Sequence, residues 1–129
     1  MVTDRINNPT ATLETAPECR NCGGIATRRV TQMTNQKGNA GRPYYKCTLC
    51  DSFLRFDDTR GTNPRNPYCH CQSPSRMQVS GIETASRQGL HYVCVTGECD
   101  FYMTSDNNKG HQITLDNGLV DLFCILQII

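Results

Sequence analysis

Apolar and polar positions along the chain fall into two similar halves. Residues 25–34, IATRRVTQMT, are rich in β-branched side chains and read as a strand, with Ile25, Val30 and Met33 as its inward positions. Residues 35–41, NQKGNAG, carry the Gly and Asn that a hairpin turn needs. PYYKC at 43–47 returns as a second strand, and FLRF at 53–56 follows as a third. The other half repeats this order. RMQVSGI at 76–82 runs out, SRQG at 86–89 turns, LHYVC at 90–94 returns, and FYMT at 101–104 follows. Two such half-chains, each of roughly 40–50 residues, form a tandem repeat. The chain then closes on an apolar run, LVDLFCILQII at 119–129. That run is too short for a membrane span, which takes about 20 residues. It reads as a strand or helix packed on the second half.

Composition changes the picture by showing how little core these strands can share. Only 37% of the 129 residues are hydrophobic, there is no Trp, and Gly and Pro number 10 and 6. Ordinary domains carry about 45–50% apolar residues, and small chains bury a smaller share of their surface. A chain like this needs staples. It argues against a dinucleotide-binding α/β domain, a helical bundle and a membrane span.

Nine cysteines supply the staple. The opening segment, MVTDRINNPTATLETAP, has neither the basic nor the apolar region of a secretory signal. The expectation is therefore an intracellular, nuclear setting without secretion. Structural disulfides are rare in reducing compartments, and an odd count fits them poorly. Metal is the better reading.

Eight cysteines fall in pairs: Cys19 and Cys22, Cys47 and Cys50, Cys69 and Cys71, Cys94 and Cys99. Four thiolates satisfy one tetrahedral zinc, so eight make two sites. The first set is C-x2-C, 24 residues, then C-x2-C; the second is C-x-C, 22 residues, then C-x4-C. Knuckle, β-rich insert and knuckle describe a zinc ribbon. Sequential ribbons would join the first pair to the second and the third to the fourth. A cross-brace would join alternate pairs. The 18 residues between Cys50 and Cys69 contain TRGTNPRNP, which reads as a linker and favours the sequential arrangement.

Charge separates the halves. Between Cys19 and Cys50 lie Arg20, Arg28, Arg29, Lys37, Arg42 and Lys46, with no Asp or Glu. A four-thiolate zinc site is formally −2, so this span stays at +4. Between Cys69 and Cys99, Arg76 and Arg87 are balanced by Glu83 and Glu98. Phosphate contact should therefore concentrate in the first half. Aromatic residues interleave with its cations, as single-strand binding requires. Alternate residues of a strand face opposite sides, so only one of Tyr44 and Tyr45 can share a surface with Arg42. For Arg42 itself two roles stand open: a phosphate contact, or a structural hydrogen bond from guanidinium to loop carbonyls.

Residues 38–47, GNAGRPYYKC, resemble the signature of the GRF-type zinc finger family. Asn39, Gly41, Arg42, Tyr44, Tyr45 and Cys47 match in place, and Phe53 matches an aromatic after the last cysteine. The second half is similar but degenerate. Tyr92, Cys94, Cys99, Phe101 and Tyr102 match, whereas Gln88 and Gly89 replace the Gly-Arg pair. The resemblance implies a claw-like, three-stranded ribbon around one zinc. Fingers of this family often bind single-stranded nucleic acid beside a DNA-repair, topoisomerase or transposon-related enzyme. None of those enzyme domains lies within these residues.

The expected fold class is a small metal-stabilised β fold of two tandem zinc ribbons, each a short three-stranded antiparallel sheet. Residues 1–18 form an N-terminal segment expected to be disordered. Residues 19–58 form the first ribbon, 59–68 a linker, 69–106 the degenerate second ribbon, and 107–129 a tail packed on it. Zinc, two ions, is the expected cofactor. Its ligands are Cys19, Cys22, Cys47 and Cys50, and Cys69, Cys71, Cys94 and Cys99. Nucleic-acid contacts are expected from Arg28, Arg42, Tyr44, Tyr45 and Lys46. The expected partner is single-stranded DNA or RNA; the alternative is a protein partner, with the ribbons as an interaction module. No membrane and no small-molecule substrate are expected. His70, inside C-H-C, is the one other candidate ligand. His91 and His111 read as ordinary surface or strand residues. Cys124, among Leu122, Phe123, Ile125 and Leu126, reads as a buried small hydrophobe. No triad, phosphate loop or HExxH motif appears, so no enzyme is expected.

Overall fold

A computed structural model describes residues 16–34, 38–81 and 87–129. Most of the expected N-terminal segment lies outside the described residues, as do Lys37, Ile82, Glu83, Ser86 and part of the first hairpin turn.

β1 (Ala26–Val30), β2 (Pro43–Cys47) and β3 (Phe53–Phe56) make one antiparallel sheet in the order β1-β2-β3. β4 (Arg76–Val79), β5 (Leu90–Val93) and β6 (Tyr102–Thr104) make the second, in the order β4-β5-β6. The fold is thus two tandem ribbons joined in sequence. Thr, Val and Tyr suit a pleated, half-buried surface, and short antiparallel strands suit hairpin connections.

Register decides which side chains share a face. Arg29 pairs with Tyr44 and Tyr44 with Phe56, while Arg28 pairs with Tyr45 and Tyr45 with Arg55. One face of the first sheet therefore carries Arg29, Tyr44 and Phe56, and the other Arg28, Tyr45 and Arg55. A bulge between Tyr45 and Lys46 sets Phe53 opposite Lys46. In the second sheet Gln78 pairs with His91 and Val93 with Tyr102. Those residues share one face with Arg76. Met77, Val79 and Leu90 lie on the other.

The inward positions expected in the first ribbon are corrected by the structure. Ile25 is 81% exposed, Met33 78%, and Val30 is exposed as well. No apolar layer covers them. The core sits instead under the second sheet, where Leu90, Leu115, Val120 and Ile129 are buried with Met77, Val79 and Phe123 packed around them. Each such side chain contributes about 1.5–3 kcal/mol on burial.

The terminal apolar run supplies Val120 and Ile129 to that core, Val120 from a helix, α1 (Asn117–Ile125), and Ile129 from beyond its end. Asp116 caps it, its Oδ1 accepting the Leu119 N–H at 2.8 Å, which satisfies one of the first turn's unpaired donors. Among the described residues no helix is long and apolar enough to cross a membrane.

The segment expected as a linker, 59–68, is anchored to what surrounds it. The Gly61 carbonyl accepts the Met77 N–H at 2.9 Å, and the Gly61 N–H donates to the Gln127 carbonyl. Asn66 donates to the Gly61 and Ser75 carbonyls. A Cβ at Gly61, whose φ is +79°, would meet the Met77 carbonyl oxygen, so this close approach requires glycine.

Candidate metal centres and nucleic-acid interface

Cys19, Cys22, Cys47 and Cys50 converge at one end of the first sheet, and Cys69, Cys71, Cys94 and Cys99 at the matching end of the second. Within each quartet all Sγ atoms lie within 4.8 Å of one another. The Sγ separations are 3.5 Å for Cys19–Cys50 and 3.4 Å for Cys22–Cys47. Four sulfurs about 2.3 Å from a central zinc would sit about 3.8 Å apart, so the cage has the right size. Gly24 makes room for it, because a Cβ there would come within 2.9 Å of the Cys47 Sγ and 3.2 Å of the Cys22 Sγ. The cofactor is zinc, two ions per chain.

Four thiols packed this closely oppose one another's ionisation. Backbone N–H groups of Cys22 and Asn21 draw Cys19 down to about 6. Cys22 accepts the Gly24 N–H, yet the neighbouring Cys47, Cys19 and Cys50 thiols outweigh it and push Cys22 up to about 12. Crowding by Cys99 likewise pushes Cys71 up to about 12. A dication removes this conflict, and all four ligands then ionise. His70 faces Asp100 and the Phe101 ring; the cysteine quartet, not His70, forms the cluster.

A family model, the GRF-like zinc ribbon domain, matches residues 16–60. That is the first ribbon. No curated protein compared matches the chain. Among solved structures, the human NEIL3 tandem zinc finger GRF domains are 21% identical, over 71% of this chain and all of that one. The TM-score is 0.30.

The five expected nucleic-acid contacts do not form one surface. In the first ribbon, Arg42 is 5% exposed. Its Nε donates to Asp58 at 2.7 Å, its Nη1 to Asn39, and its guanidinium lies 3.6 Å over the Phe56 ring. Arg28 pairs with Asp57 at 2.8 Å, and Arg55 lies over the Tyr45 ring on that same face. Tyr44 and Lys46 are on the other face, where Lys46 pairs with exposed Asp51. There Tyr44 stacks on Phe53 with ring centroids 5.8 Å apart, and Phe53 meets Phe56 edge-on at 4.9 Å. Arg29, Tyr44, Phe53 and Phe56 line one surface groove. Arg29 is exposed and pairs with no carboxylate among the described residues.

Arg29 and Phe53 are thus the residues that sequence reasoning passed over. The signal was parity: Arg29 lies opposite Tyr44 when Ala26 is set against Cys47. Asp57 and Asp58 were passed over too. Asp58 joins the ribbons, since Arg76 donates from Nη1 to its carboxylate and from Nη2 to its carbonyl. Burial raises the Asp58 carboxyl, but Arg42 and Arg76 outweigh that and hold it below its ordinary value. Burial also draws Arg76 down to about 10, so it stays charged at neutral pH.

Proposed function

We propose that the protein is a zinc-stabilised binding module that takes single-stranded nucleic acid on the open face of its first ribbon. The observation that carries this is the groove where Arg29 flanks the Tyr44–Phe53–Phe56 ring ladder. Stacked rings beside a cation match the two needs of single-strand binding, π-faces for bases and charge for phosphates. The span from Cys19 to Cys50 contains no acid, and Asp51 just beyond it pairs with Lys46, not with Arg29. Tyr44 and Lys46 belong to the contact surface, while Arg28, Arg42 and Tyr45 hold the frame behind it. Zinc has a structural role here, because four protein ligands leave no open position for a substrate. In this reading the module binds without catalysis, in an intracellular, nuclear setting that keeps the thiols reduced.

The second reading, a protein-interaction module, is favoured by the outer side of α1. Leu122, Ile125 and Leu126 are exposed there. A salt series with the zinc-loaded protein and a short single-stranded oligonucleotide separates the two. Binding should weaken with salt at a log–log slope of about −0.7 per phosphate contacted. Arg29→Glu and Phe53→Ala should each weaken binding with zinc content unchanged. Absence of oligonucleotide binding at low salt would leave the interaction module.

A further inference from the structure

A second concavity lies between the ribbons. Its walls are β3 on one side and the Gln78–His91–Tyr102 face of the second sheet on the other. Contacts between ribbons close it at two points. Near one, Arg20 donates from Nε to the Gly97 carbonyl at 3.1 Å, and a Cβ at Gly97 would meet the Leu54 carbonyl at 3.2 Å. At the other, Arg76 Nη2 donates to the Phe56 carbonyl. The cleft holds about 360 Å³, at the small end of the roughly 300–1,000 Å³ usual for ligand pockets.

Its lining is aromatic on both walls. Phe53 and Phe56 form one. Opposite them His91 stacks on Tyr102, with centroids 5.1 Å apart and planes at 22°. Burial lowers the His91 pKa, so the imidazole is neutral at neutral pH and offers a π-face without added charge. Gln78 brings a side-chain amide, able to donate and accept on a base edge. Arg20 stands at the wall with its Nε already anchored. Asp100 is the carboxylate of the lining. Phe53 and Phe56 also line the open groove of the first ribbon, so the same two rings separate groove from cleft.

We propose that the cleft between the ribbons is a nucleobase pocket, taking one unstacked base of the strand held on the first ribbon between Phe53/Phe56 and the His91–Tyr102 pair. This rests on the nucleic-acid reading above. It gives the second ribbon, which lacks net basic charge, a share in binding through stacking instead of phosphate contact. Base–aromatic stacking tolerates any base, because each has a π-face. An exposed backbone with splayed bases is what single-strand recognition exploits.

Tyr102 lines the cleft and not the open groove, which makes it the discriminating position. The test uses full-length, zinc-loaded protein and two short single-stranded oligonucleotides, one intact and one carrying abasic sites. Tyr102→Ala should weaken intact-strand binding about tenfold, the effect of one lost stack. It should leave abasic-strand binding unchanged, and Tyr102→Phe should bind as the parent protein does. Arg29→Glu should weaken both strands. If Tyr102→Ala binds the intact strand as well as the parent while Arg29→Glu does not, the pocket is overturned and the first-ribbon reading stands. If the parent protein binds neither strand, both fall.

Discussion

Around β2 and β3 the buried side chains are Arg42, Arg55, Asp57 and Asp58 with the ligands Cys19 and Cys47; around β4 and β5 Ser75, Arg76 and the ligands Cys69 and Cys94 are buried too, but beside an apolar cluster of Leu90, Leu115, Val120 and Ile129. Two three-stranded sheets of the same strand order thus solve one problem differently. The second ribbon has a helix to bury, so apolar side chains make its core. The first has no covering layer, and its interior is built from ion pairs and metal. A guanidinium on an aromatic ring and a carboxylate between two guanidinium groups replace oil. Such an arrangement is unforgiving. Charges removed from water need every partner in place, whereas an apolar core tolerates adjustment.

The largest expected effect comes from breaking the metal half of that contrast. Cys47→Ser should lower zinc from two ions to one per chain and abolish amide protection in β1, β2 and β3. Structural zinc supplies about 10–16 kcal/mol in small domains, as much as most folds possess in total. The second sheet, with its own quartet and apolar core, should keep its protection. Hydrogen exchange that shows β1–β3 still protected would remove the basis of the comparison.

Next comes the ionic half. Asp58→Asn leaves Arg42 and Arg76 buried against a neutral group and should cost about 3–5 kcal/mol. The Asp58 carboxyl is held below its ordinary value, so its contribution is complete above the unfolded value and fades only as pH falls through the folded one. The deficit of the variant should therefore be flat across neutral pH, down to about pH 5. Denaturation curves at several pH values read this directly. A deficit that shrank within that window would mean the carboxyl is not held ionised.

The smallest effects sharpen the contrast in apolar residues. Leu90→Ala should cost about 2–5 kcal/mol, and Ile25→Ala less than about 0.5 kcal/mol, although both are aliphatic residues at the start of a strand, Leu90 opening β5 and Ile25 just before β1. Equal costs in thermal denaturation would show a hidden apolar layer over the first sheet.

These particulars also show what the amino-acid sequence revealed. The ligand cysteines were legible because metal spacing is local: two knuckles and a β insert can be read without knowing the fold. The six strands were legible from β-branched and aromatic clusters between Gly and Asn turns. The inward set Ile25, Val30 and Met33 was not, since alternation shows which residues share a face but not whether anything covers it. Residues 119–129 stayed undecided between strand and helix, because a short apolar run fits both periods; the Asp116 cap was the cue that decided it. The roles of Arg42 and Asp58 depend on Arg76, 18 residues beyond Asp58. No local pattern reports a partner in another repeat.

Arg60 ties the chain's distant parts together, donating from Nε to the Ile129 carbonyl and from Nη1 to the Gly38 carbonyl. The first bond spans 69 residues and the second 22. The longer loop contains the whole second sheet and α1. Closing it costs little at equilibrium, about 0.6 kcal/mol for each doubling of length, but distant contacts form slowly. Domains fold as units from the N-terminal side as the chain is made. The first knuckles, local in sequence, can therefore close on zinc before the distant bond from Arg60 to the Ile129 carbonyl forms. Arg60 then ties the Gly38 turn of the first ribbon to the segment beyond α1 that packs under the second.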